Sequence, residues 1–306
     1  MRLLFTSLAV LISYFSMPDK NSSADIQFPD QNKKPIFSFG LIADAQYSDN
    51  NPVGTRFYRL SSQKLKEAAE SLKRDSADFI INLGDIIDKD FESYKKVLDI
   101  LRASGVKTYH ITGNHDYSVD PKLKNKLPVL QNSKKGYFSF VHEHFRFIFL
   151  DGNEISIYSS GNKTAIKQGE DTLVSMKARG DINAMDWNGG MSKNQLTWLN
   201  DQLTEATKEN EKVFIICHFP VVPENVHNLY NYKEVLSILK NYHNIVAWFN
   251  GHNHAGNYGS FNMIHFVTIK GMVETEENNS FALVEVYSDK VLIKGYGREE
   301  SRTLTY

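Results

Sequence analysis

The stretch Phe79-Ile80-Ile81-Asn82-Leu83-Gly84-Asp85-Ile86-Ile87-Asp88 decides the reading of the chain. Its Ile-rich run suits a strand buried on both faces. Gly84 permits a turn or a close approach where the run ends, and Asp85 then stands at the carboxyl edge, where open α/β sheets build their sites. Alone this is weak evidence, because an Asp after a strand is more often a cap or turn residue than a ligand. The same grammar recurs, however. Residues 36–43 lead to Asp44-Ala45-Gln46, 106–112 to Gly113-Asn114-His115-Asp116, 213–217 to His218-Phe219-Pro220, and 245–249 to Gly251-His252-Asn253-His254.

Between these runs the spacing of apolar residues predicts helices over about 57–74, 91–103, 192–206 and 232–240. Gly105 ends the second, and Ser192 caps the third with Gln195 completing a capping box. Strand–helix alternation implies crossover units and a largely parallel sheet. Residues 137–141 and 145–150 read as paired strands. The runs 261–269, 281–287 and 291–296 follow without helices, which predicts an antiparallel meander on a second sheet. The expected fold is α/β, two packed mixed β-sheets flanked by helices, in one domain over 35–306. Residues 152–190 are polar and weakly periodic, and a segment of that length is expected to be an insertion near the active site.

The 306 residues suffice for a substantial core. The 35 basic and 36 acidic side chains nearly cancel, so the chain lacks the basic excess of a nucleic-acid binder. A single cysteine, Cys217, forbids an intramolecular disulfide, and its apolar setting makes it a buried core thiol. The first 15 residues, MRLLFTSLAVLISYF, carry one Arg and an apolar run shorter than the roughly 20 residues of a membrane span. Residues 1–24 therefore resemble a secretory signal peptide or, in the alternative, an uncleaved apolar segment or dispensable tail, with 25–34 as linker. The first reading implies export to the periplasm or medium without a stable membrane span in the mature chain, and a segment that is not a signal implies a cytoplasmic protein.

The strand ends carry Asp44 and Gln46, Asp85 with Asp88, Asn114 with His115, His218, and His252 with His254. Alternate side chains of an extended segment point the same way, so His252 and His254 can face one centre. Carboxylate, amide and imidazole donors without thiolate suit manganese, iron or zinc better than a calcium cage. Two divalent ions in one site need a bridging carboxylate, and Asp85 is central in the series. The remaining histidines, His110, His142, His144, His227, His243 and His265, are expected to be structural or exposed. Arg56 and Arg59 can clamp a phosphate by bidentate hydrogen bonds or simply begin a solvated helix. Asn188-Gly189-Gly190 can bring backbone amides to a substrate or form a tight turn before the helix.

The order DxQ, GDxxD, GNHD, a lone H after a strand, and GHNH resembles the calcineurin-like metallophosphoesterases over residues 36–298. Their usual first motif is Asp-x-His, whereas Asp44-Ala45-Gln46 stands here. That departure is similar to the manganese-dependent ADP-ribose/CDP-alcohol diphosphatase branch, as are TRFYR from Thr55, NGGMSKNQLTWLN from Asn188 and IKGYGRE near the end.

The resemblance implies one metal on Asp44, Gln46, Asp85 and His254 and another on Asp85, Asn114, His218 and His252. It implies metal-hydroxide attack on phosphorus, with His115 assisting the leaving oxygen and Asp116 either orienting that imidazole or capping a turn. Asp88 is placed behind the ligands or at a helix cap. The amide oxygen of Gln46 is a harder donor than imidazole and tilts the site towards manganese or magnesium. The implied substrates are small-molecule nucleoside diphosphate conjugates, with no nucleic acid partner. The implied reaction is ADP-ribose to AMP and ribose 5-phosphate, or a CDP-alcohol to CMP and phosphoalcohol. The rival expectations are a phosphodiesterase on cyclic nucleotides or glycerophosphodiesters with the same fold and metals, and a scaffold that has lost catalysis.

Overall fold

The computed structural model describes residues 34–127, 135–159 and 163–306; the N-terminal signal-peptide expectation falls outside them. Pro35–Tyr306 form one compact unit. No helix among the described residues is long and apolar enough to cross a membrane.

The first half alternates as expected: β1 (Phe37–Ile42), α1 (Ser61–Arg74), β2 (Phe79–Asn82), α2 (Ser93–Ser104) and β3 (Lys107–His110). Leu65, Ala68, Ala69 and Leu72 of α1 are buried with Val97 and Leu101 of α2 against the outer face of these strands. Gly105 ends α2 at φ 74°, a conformation that costs glycine least. After the hairpin β4 (Phe138–His142) and β5 (Phe145–Phe149) come α3 (Lys163–Arg179), α4 (Lys193–Lys208), β6 (Lys212–Ile216), α5 (Tyr232–Leu239) and β7 (Ile245–Asn250). The chain finishes with β8 (Asn257–Phe261), β9 (Ile264–Thr268), β10 (Ser280–Val286), β11 (Lys290–Gly297) and β12 (Arg302–Thr305).

Two six-stranded sheets result, ordered β12-β11-β10-β1-β2-β3 and β4-β5-β6-β7-β9-β8. Their facing sides enclose a core rich in phenylalanine, including Phe39, Phe79, Phe147, Phe214 and Phe249. Phe39 stacks on Phe79 at 5.5 Å and meets Phe147 edge-on at 5.4 Å. Buried aromatic pairs of this kind add to the area they remove from water.

Two expectations are corrected. The C-terminal meander does not form on the second sheet: β10 pairs antiparallel with β1, so β10–β12 extend the first sheet and cover what would be its open edge. The run 261–269 is not one strand, because Asn262 and Met263 take φ 51° and 64° and turn the chain between β8 and β9. The segment 152–190 contains the 17-residue α3, whose buried positions are only Gly169, Leu173 and Met176. So narrow a stripe leaves little helical period to read.

Ser192 caps α4 as expected, its Oγ accepting from the Gln195 amide at 3.2 Å. The Gln195 side chain does not complete the box. It bonds Asp151 and Glu154, and Glu154 takes the Ser192 amide at 2.8 Å.

Candidate metal centre

Past the ends of β1 and β2 the two loops stay laced together. The Asp44 amide donates to Gly84 O, Gln46 to Asp85 O and Tyr47 to Ile86 O. Asp44, Gln46, Asp85 and His252 all lie at positive φ (51°, 43°, 52° and 68°), which non-glycine residues rarely adopt. Four such residues in one place are the kind of local strain that functional sites hold. The lacing needs close contact. A Cβ on Gly84 (φ 96°) would lie 2.6 Å from His218 Nδ1, and one on Gly113 would lie 2.1 Å from Asp85 Oδ1.

Asp85 is buried at the middle of the cluster. Its Oδ1 accepts from the His115 amide at 2.7 Å. Its Oδ2 lies 3.3 Å from Gln46 Nε2 on one side and 3.3 Å from His218 Nε2 on the other. Gln46 Nε2 continues to His254 Nε2 (3.1 Å), which reaches Asp44 Oδ1 (3.5 Å). His218 Nε2 reaches Asn114 Oδ1 (3.3 Å), and ligand atoms of Asp85, His218 and His252 lie within 4.8 Å of one another. The expected donors thus gather as two groups sharing one carboxylate.

Each imidazole is fixed through its other nitrogen. His218 Nδ1 donates to Leu83 O (2.8 Å) and His254 Nδ1 to Glu274 Oε1 (2.7 Å). His252 Nε2 donates to Asn188 Oδ1 (2.8 Å). Each ring thereby turns its remaining nitrogen to the centre, the placement of a metal-ligating histidine. As placed, Gln46 offers Nε2, and its Oε1 faces Arg56 Nη1 at 3.4 Å. A half-turn of the amide turns Oε1 to the centre and gives up the Nε2 contacts to Asp85 and His254 together with the one from Arg56, as a cation between these groups would require.

The electrostatics fit a cation site. Burial opposes charge on Asp85, yet the His218 and His115 imidazoles draw it far below the usual carboxylate range. Burial likewise opposes protonation of His218 and His254, but Asp85 beside the first, and Asp44 and Glu274 beside the second, raise each to about 9. Burial drives His252 the other way, well below its ordinary value. Buried carboxylates require compensating positive charge, and the oxygen and imidazole donors suit manganese-type ions.

The structure revises several expected roles. Asp116 makes no side-chain hydrogen bond to His115. Its Oδ2 takes the amides of Asp85 (2.9 Å) and Gly113 (2.8 Å) and its Oδ1 the Tyr94 hydroxyl (2.9 Å), so it braces the two turns. Asp88 faces the catalytic candidate instead, with Oδ1 2.6 Å from His115 Nδ1.

Asn188 is fully buried behind His252, and its Nδ2 donates to Asn183 O and Val226 O. It supports a ligand and is not open to substrate. The Gly190 amide is spent on Ile155 O (2.9 Å), and Gly189 packs against Gly152 O, where a Cβ would lie 2.3 Å away. The Asn188–Gly190 turn therefore packs a wall of the site. Arg56 stays beside the cluster, whereas Arg59 is held by Asp49 and Asn51 in an exposed loop. His227, expected to be structural or exposed, packs edge-on to His252 at 5.4 Å with a buried, unpartnered Nδ1. Glu274 had no signal in the sequence, since it lies in no motif and reaches His254 only through the fold. Cys217 is buried as expected, and burial pushes its thiol up to about 12.

The family model for calcineurin-like phosphoesterases matches residues 37–256. A manganese-dependent ADP-ribose/CDP-alcohol diphosphatase of Xenopus laevis is 31% identical, over 90% of this chain and 92% of that protein. Its namesake from Homo sapiens is 33% identical, over 89% and 93%. A solved dimetal phosphatase from Danio rerio superposes with a TM-score of 0.81 at 28% identity, covering 89% of this chain and all of that one.

Proposed function

Because the chain belongs to the calcineurin-like phosphoesterase family, and within it to the manganese-dependent ADP-ribose/CDP-alcohol diphosphatases, we propose that it hydrolyses the diphosphate bond of nucleoside diphosphate conjugates. ADP-ribose and water give AMP and ribose 5-phosphate, and a CDP-alcohol and water give CMP and a phosphoalcohol. The observation that carries the reading is Asp85, whose single Oδ2 touches both donor groups.

Asp44, Gln46, Asp85 and His254 would hold one divalent ion, and Asp85, Asn114, His218 and His252 the other. Bound there, such ions supply positive charge to the phosphoryl oxygens and activate the attacking water. The protein's own part is preorganisation. The Leu83 carbonyl, Asn188 and Glu274 hold the three imidazoles in the required tautomer.

Asp88 accepts the Nδ1 proton of His115 and sets its negative charge beside the ring, so the imidazolium form, with a second proton on Nε2, gives that proton to the oxygen leaving phosphorus and is left neutral. That oxygen belongs to a second phosphate, which departs more readily than an alkoxide and needs little protonation. Arg56, part-exposed beside Gln46 and Glu274, supplies a guanidinium to the phosphates.

The test is product release by the metal-stripped protein resupplied with Mn²⁺, Mg²⁺ or Zn²⁺. The panel holds ADP-ribose, CDP-choline, a cyclic nucleotide and bis-p-nitrophenyl phosphate, with Asp85→Asn as control. Manganese-dependent release of AMP and CMP, absent in the control, is the expected result. Hydrolysis of the simple diester alone overturns the diphosphate reading.

A further inference from the structure

We propose that Glu274 is a positioning residue that serves the metal site and the phosphate-binding arginine at once, through one carboxylate oxygen. Its Oε1 lies 2.7 Å from His254 Nδ1 and 3.7 Å from Arg56 Nε. The first contact fixes the imidazole with Nε2 turned to Gln46 and Asp44. The second sets a negative charge behind the Arg56 guanidinium. A carboxylate behind a ligating histidine fixes the tautomer and makes the ring a stronger donor. This inference rests on reading Asp44, Gln46, Asp85 and His254 as ligands.

The backbone around Glu274 is held without help from its side chain. Gly271 N donates to His254 O, Met272 N to Ala43 O and Val273 N to Asp44 O. Phe57 N donates to Val273 O, and Thr275 N to Thr55 O. The buried Lys64 ammonium donates to the carbonyls of Met272, Glu274 and Thr275. The loop is thus stapled to β1's end, to α1 and to the segment bearing Arg56. Removing the carboxylate leaves these staples in place, so its loss is separable from collapse of the loop.

The experiment compares Glu274→Gln and Glu274→Ala with the unaltered protein, using Mn²⁺ titration by calorimetry, thermal melting of the metal-free protein and steady-state kinetics on ADP-ribose. The Gln amide oxygen still accepts from Nδ1–H but carries no charge. Glu274→Ala is expected to weaken one of two Mn²⁺ equivalents by about 10–100-fold. Glu274→Gln should restore most of that affinity while keeping a raised KM, with kcat closer to normal, because the charge behind Arg56 is gone.

Unchanged Mn²⁺ affinity in Glu274→Ala overturns the proposal. So does an equal loss in both variants accompanied by an equal fall in melting temperature, the signature of a plain loop brace. Asp85→Asn is run alongside: if it too binds Mn²⁺ normally, the ligand assignment itself fails, whatever Glu274 does.

Discussion

His115 Nδ1 lies 2.6 Å from Asp88 Oδ1, and this pair, not His115 with Asp116, forms the imidazole–carboxylate couple at the rim of the site. The two aspartates thereby acquire different consequences. Asp88→Asn exchanges an acceptor for an amide that can present its donor to Nδ1–H. It should lower kcat by about 10–100-fold with little change in melting temperature. His115→Ala should cost more on bis-p-nitrophenyl phosphate's alkyl counterparts than on ADP-ribose, because an alkoxide needs the proton and a phosphate does not. Equal losses on both substrate types would contradict proton donation by His115.

Asp116 should behave as a structural residue. It accepts two backbone amides and a buried hydroxyl, and burial together with the Asp85 charge pushes its carboxyl up to about 7. Asp116→Ala leaves those donors unpaired, at a cost on the order of 3 kcal/mol. Denaturant unfolding of the metal-free protein reads this directly. A variant as stable as the parent would sink the bracing role.

Asn188→Ala removes the acceptor of His252 and uncovers the carbonyls of Asn183 and Val226. It should lower stability by about 2 kcal/mol and also weaken Mn²⁺ binding, whereas a substrate contact would raise KM alone. Calorimetric Mn²⁺ titration separates the two.

His110 supplies a pH dependence away from the centre. Burial, assisted by Arg102, holds its imidazole down to about 4, and its Nδ1 is buried without a partner. Below the ordinary value near 6.5 the unfolded chain takes up a proton that the folded chain refuses until about 4. Stability is therefore lost as pH falls through that window, by at most about 3 kcal/mol from this group. Unfolding of the parent and His110→Gln at pH 7.5, 6 and 5 isolates the contribution. Parallel pH profiles would show that His110 contributes none of it.

The sequence by itself determined the parts that depend on local order. Apolar runs ending in Asp44, Asp85, Asn114, His218 and His252 disclosed both the strands and their donor residues, because a buried strand and the loop at its end are contiguous in the chain. Gly105 and Ser192 likewise marked helix ends through contacts a few residues away.

Only the tertiary structure decided which residues stand behind those donors. Glu274 meets His254 across 20 positions that include β8 and β9, and Asn188 meets His252 across 64. A side-chain hydrogen bond over such a separation leaves no period or spacing to read. The same holds for β10 beside β1: antiparallel pairing of distant strands is set by which sheet edge needs covering, not by the pattern of either strand. Asp88 and Asp116 differ for the same reason. Both follow a strand as short-range acceptors, and only the folded loops decide which one reaches the imidazole and which one the backbone.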